Sequence, residues 1–110
     1  MALSTGIIGY WKLDGNSKDA VSTNNGTDVG ISYSSSYGKI NQGALIGGTG
    51  SIIVPDVSAL DPASAMTIGF WVYPTGTPQA YEAFVYKSNL LDAGGYYQWG
   101  TGTLNATGNL

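Results

Sequence analysis

The chain has no cysteine, no histidine and no arginine, carries a single glutamate, Glu82, and has only 10% charged residues over its 110 positions. Without Cys or His there is no disulfide framework, no thiolate metal site, no zinc site of the usual ligand type and no catalytic triad built on imidazole. The absence of Cys leaves the compartment open. Four lysines against seven acids give a formal charge of −3, so the basic footprint of a phosphate-binding surface is missing and nucleic acid is not an expected partner. No apolar run approaches the roughly 20 residues needed to span a bilayer, which argues against membrane insertion, and MALSTG at positions 1–6 lacks the basic and apolar regions of a signal peptide.

What the chain does have is 17 glycines, eight tyrosines and abundant Ser and Thr. That composition suits short strands joined by tight turns and disfavours long helices. A length of 110 residues suits one domain, 1–110. Along it, IIGYWKLD at 7–14 alternates as a strand, and GNSKDAVSTNNGTD at 15–28 reads as a polar loop with a turn at Asn25–Gly26. Val29–Tyr33, GALI at 43–46 and SIIVP at 51–55 read as strands, the last two joined through Gly47, Gly48 and Gly50 by a hairpin or bulge. SALDPASAM at 58–66 offers one helical turn capped by Ser58 or Asp61. In MTIGFWVYP at 66–74, Met66, Ile68, Phe70 and Val72 form one apolar face, expected to point into a core, while Thr67, Gly69, Trp71 and Tyr73 form the other. EAFVYKS at 82–88 and YYQWG at 96–100 read as two further strands. The expectation is an all-β fold, an antiparallel two-sheet β-sandwich.

YWKLDGNSKDAVSTNNGT at 10–27, followed by YGKINQGALIGGTGSIIVPDVSALDPASAMTIGFWVYPTG at 37–76, resembles the laminin-G-like, concanavalin A-like jelly-roll domains, including their pentraxin-related branch. The shared order is an aromatic first strand, an Asp- and Asn-rich loop, a GKxGQAL segment, an IPD turn and a TIxxWVxP strand. EAFVYKSN and YYQWGTG resemble the next two strands of the family. The family often has an Asp near Gly47–Gly48, which this chain lacks, and the resemblance ends near 96–100, short of the about eight strands of a full jelly roll. The resemblance therefore implies a jelly roll truncated at its C-terminus, either a piece of a longer polypeptide or a subunit completed by a neighbour's strands.

The same fold houses glycoside hydrolases, whose chemistry needs two facing carboxyl groups. Glu82 has no acidic neighbour in sequence and the other acids, at 14, 19, 28, 56, 61 and 92, fall in expected loops, so the expected protein is not an enzyme. Asp14, Asn16, Asp19, Asn24, Asn25 and Asp28 crowd one loop with hard oxygen donors. They suit either calcium, with Asp14, Asp19, Asn25 and Asp28 as candidate ligands, or side-chain capping of turns. Among the aromatics, Trp11 and Trp71 are expected to fill the sandwich. Tyr73, Tyr81, Tyr96, Tyr97 and Trp99 flank loops or strand ends and are the candidates for stacking on sugar rings. The sequence thus points to a recognition or adhesion module for a glycan in an extracellular, cell-surface or virion setting. Its rival is a structural subunit of a virion or cell-surface filament, packed against other subunits or copies of itself as a homo-oligomer.

Overall fold

The computed structural model describes residues 5–61, 64–76, 83–88 and 97–102. The chain is rich in strand with almost no helix: β1 Thr27–Ser34, β2 Gly43–Ile53, a three-residue 3-10 turn Ser58–Leu60, β3 Ala83–Ser88 and β4 Tyr97–Gly102. It divides into two compact units, Met1–Phe70 and Trp71–Leu110. No helix among the described residues is long and apolar enough to cross a membrane.

In the first unit β1 and β2 form an antiparallel pair, with Thr27 opposite Ile53, Val29 opposite Ser51, Ile31 opposite Ile46 and Tyr33 opposite Ala44. The Val, Ile and Tyr residues of these strands fit a pleated, half-covered surface. The segments 43–46 and 51–55, read separately in the sequence, merge into one strand that ends at Ile53, and the pairing shifts register between Val29 and Ile31. Gly30 at this shift has φ +62° and Gly48, across in β2, has φ +57°. Both lie in the left-handed region that glycine enters without penalty. The irregularity has a second effect. Residues five apart in an unbroken strand point to opposite faces, yet the Tyr33 hydroxyl donates to Asp28 Oδ2 at 2.8 Å. The pairing steps from Val29–Ser51 to Ile31–Ile46, so that four residues of β2 face Gly30 alone, and the left-handed backbone of Gly30 breaks the alternation of β1 between Asp28 and Tyr33. Burial first, and then the bond to Asp28, push the Tyr33 hydroxyl above its ordinary pKa, because both favour the neutral phenol.

Ahead of β1 the expected strand 7–14 is reduced to one isolated bridge between Trp11 and Asp19. Asn25–Gly26 does not make a two-residue hairpin, since Asn25 leads through Gly26 directly into β1. Gly26 is needed for space: a Cβ there would sit 2.6 Å from Ile52 Cγ2 and 3.0 Å from Ser17 Cβ. The helical turn is present at Ser58–Leu60, but Val57 occupies its N-cap and no side chain caps it, contrary to the expectation for Ser58 or Asp61. β2 ends two residues before Pro55, in keeping with a residue that cannot donate to a ladder.

The stretch 65–75 departs most from its sequence pattern. It lies outside every strand and helix. Ile68, Phe70 and Val72, expected to face a core, are exposed, with Phe70 at 42%. Trp71, expected to be packed, is 76% exposed. Alternation of apolar residues becomes a two-faced strand only where a ladder holds the pleat, and 65–75 takes up no strand here.

In the second unit β3 pairs antiparallel with β4, with Val85 opposite Thr101, Tyr86 opposite Gly100, Lys87 opposite Trp99 and Ser88 opposite Tyr97. β1, β3 and β4 fall within two residues of strands read from the sequence, while β2 runs through the Gly47–Gly50 connection expected between two separate ones. Among the described residues no apolar side chain is fully buried; the two most deeply covered side chains are polar, Ser17 and Asp19.

Candidate functional site

Residues 10–26 fold around Asp19. This carboxylate is 8% exposed, and its Oδ1 accepts the amides of Tyr10 and Val21, both at 3.0 Å. The Asp19 amide in turn donates to Asn25 Oδ1 at 3.0 Å, and the Ala20 amide donates to the Tyr10 carbonyl at 2.7 Å. One side chain therefore ties the start of the chain to the loop nine residues on. Burial alone would push the Asp19 carboxyl upward, but the backbone amides of Tyr10, Val21, Ser22 and Asn24 outweigh it and hold the pKa below the usual carboxylate value. Its Oδ2 is buried and accepts no hydrogen bond of good geometry. The Ser22 and Asn24 amides lower its pKa all the same, so the partial positive field of the loop amides compensates this oxygen.

The rest of the loop is fastened in the same way. Ser17 Oγ donates to the Gly26 carbonyl at 3.0 Å, while the Gly26 amide donates to the Ser17 carbonyl at 2.8 Å. The indole Nε1–H of Trp11 donates to the Asn24 carbonyl at 2.8 Å. The half-buried Trp11 ring lies against Gly9, where any side chain would run into it. Trp11 is thus half-buried against its own loop with a satisfied N–H, where the sequence context suggested a residue filling a sandwich core.

The four candidate calcium ligands all fall among the described residues, and each has an oxygen engaged locally. Asp14 Oδ1 accepts the Gln42 amide at 3.3 Å, Asp28 Oδ2 accepts the Tyr33 hydroxyl, and Asp19 and Asn25 accept loop amides. Among the described residues no three Asp, Glu, His or Cys side chains gather to hold a metal ion. Beside the loop is a cleft of about 190 Å³ lined by Lys12, Asp14, Asn16, Lys18, Asp19 and Ala20. Two ammonium groups and two carboxylates give it a mixed field with no preference for one sign of ligand.

The aromatic candidates lie elsewhere. Tyr73 is 85% exposed, and Trp71, one residue removed from it, is displayed with it. Tyr97 and Trp99 belong to β4, at the positions opposite Ser88 and Lys87. Tyr81 and Tyr96 lie outside the described residues. No protein-family model, curated protein or solved structure matches the chain.

Sequence reasoning missed the central position of Asp19 and the part of Ser17. Six Asp and Asn residues compete for prominence in that loop, and the direction of backbone amides, which decides among them, is not written in residue type. For Trp71 a signal was present. It stands on the aromatic face of 66–74 next to Tyr73, and the expectation of packing came from assuming a covered strand.

Proposed function

We propose that this chain is a noncatalytic recognition module that binds carbohydrate. The observation that carries the reading is the display of Trp71 and Tyr73, 76% and 85% exposed, outside any strand. Large rigid aromatic rings give much contact area for little loss of side-chain freedom. An apolar face with a polar rim matches a sugar ring, which has C–H faces and hydroxyl edges. The resemblance of 10–27 and 37–76 to laminin-G-like jelly rolls supports the same reading, with an antiparallel two-sheet sandwich as the proposed complete fold. The scarcity of carboxylates, with one Glu in the chain, speaks against glycoside hydrolysis. A glycan ligand suits an extracellular, cell-surface or virion setting.

The test is a glycan array probed with and without calcium. The wild-type chain is expected to give reproducible signal on a subset of glycans, and Trp71→Ala is expected to lose it; an array blank in both conditions overturns the reading. Calcium at Asp14, Asp19, Asn25 and Asp28 is addressed by melting. Because each of these residues already serves a protein donor, a chelator is expected to leave the melting midpoint unchanged. A rise in millimolar calcium, reversed by the chelator, would instead place an ion in the loop by mass action.

A second reading, the structural subunit of a virion or filament, has its own support. Among the described residues no apolar side chain is fully buried and each sheet has two strands, whereas isolated two-stranded sheets are marginal in water. Packing against other subunits would cover the exposed Val29, Leu45 and Ile53. Light scattering checks it: this reading expects a multiple of the 11.4 kDa chain mass at micromolar concentration, and a stable monomer removes it.

A further inference from the structure

The ligand class can be narrowed by charge and by chain geometry. Between Asp61 and Glu82 the sequence has no charged residue at all, and the charges bounding this stretch are both negative. Trp71 and Tyr73 sit in the middle of it. An acidic glycan, bearing uronate or sulfate groups, is recognised chiefly by Lys and Arg, and its binding weakens as salt screens that attraction. The chain has no arginine and only Lys12, Lys18, Lys39 and Lys87. Along the chain, the stretch that carries the aromatic pair therefore offers no cation for an anionic sugar.

Geometry sets the second limit. Trp71 and Tyr73 are two positions apart, so their Cα atoms lie no more than about 7 Å from each other however extended the backbone is. Both residues are largely exposed. Side chains at this spacing can reach consecutive rings of one linear chain, and the second contact then forms at high effective concentration.

We propose that the exposed Trp71–Tyr73 pair binds a neutral, linear glycan through at least two consecutive sugar rings. The proposal rests on the carbohydrate-binding reading above and specifies its ligand. The experiment uses the 110-residue chain and four ladders of probes, three neutral and one acidic, each running from the monosaccharide to the hexasaccharide. The neutral ladders are glucose, galactose and mannose oligomers, and the acidic ladder is galacturonate oligomers. Binding is followed by calorimetry at low and high salt, with Trp71→Ala and Tyr73→Ala in parallel and circular dichroism to show that both variants fold as the parent does.

The expected result is negligible binding of monosaccharides, a marked gain at the disaccharide or trisaccharide of a neutral ladder, and little dependence on salt. Trp71→Ala is expected to weaken binding at least about tenfold, as for a central aromatic contact. Tyr73→Ala is expected to remove the gain between one ring and two, so that oligomers bind no better than the monosaccharide. Salt-sensitive binding of galacturonate oligomers that Trp71→Ala abolishes would overturn the neutral assignment and keep the carbohydrate reading. Monosaccharide affinity equal to that of the oligomers would overturn the two-ring requirement. No binding by any ladder would overturn both the inference and the reading beneath it.

Discussion

Asp19→Ala is expected to destabilise the chain by about 3–5 kcal/mol, a large share of what holds a small domain folded. The substitution removes the acceptor for the Tyr10 and Val21 amides. Hydrogen bonds to a charged group contribute about 1.5–3 kcal/mol each, and the abandoned amides must find water or stay unsatisfied. Asp19→Asn keeps an oxygen in place and is expected to lose less. The two variants also differ from the parent in acid. The folded-state pKa of Asp19 is depressed, so its stabilisation is fully present above the unfolded carboxylate pKa of about 4 and is lost as pH falls through the lower folded value. Urea unfolding midpoints measured from neutral pH down to about pH 2 should show this loss in the parent and a flatter profile in Asp19→Asn. Equal acid sensitivity in both chains would mean that another carboxylate governs the transition.

Gly26→Ala is the second large effect, expected at about 2–3 kcal/mol from forced overpacking. The new Cβ would meet Ile52 Cγ2 at 2.6 Å and the Ser17 side chain at 3.0 Å. Relief by moving the backbone would stretch the two reciprocal bonds between Ser17 and Gly26. Since Ile52 Cγ2 is the closer obstacle, Ile52→Ala should partly rescue Gly26→Ala, and a thermal-unfolding double-mutant cycle should show the two positions coupled. Purely additive losses would show that Ile52 is not the obstacle.

These two residues mark how far the sequence could be read. β1 and the two ends of β2 were visible because Val29, Ile31, Tyr33, Ile46 and Ile52 are strand-favouring residues set between glycine- and serine-rich segments, while the glycines at 47, 48 and 50 hid that those ends are one strand. The loop at 15–26 was visible as a place where Asp and Asn side chains answer backbone donors. That Asp19 answers two amides nine residues and two residues away depends on the path of the whole loop. Gly26 was read from its neighbour Asn25 as a turn former, yet its requirement is for room against a residue 26 positions later in the chain. The stretch 66–74 shows the complementary failure. Its alternation gives each side chain a side, but a pleat also needs a neighbouring strand, and periodicity in one segment carries no information about whether that neighbour is present. Tyr73 was recognised as a surface residue from the nearby Pro74, a local cue; Trp71 was misplaced because its packing was inferred from a distant partner.

The irregular middle of β2 offers a practical handle. A side chain at Gly47 would meet nothing within 4 Å, and its φ, unlike that of Gly48, is not positive. The chain has no thiol of its own. Gly47→Cys would therefore create a single nucleophilic sulfur in open space, and a maleimide dye attached there would report from one defined position of β2. Such a conjugate would let the tumbling of the β1–β2 pair be followed by fluorescence anisotropy while the three native tryptophans remain available as independent reporters.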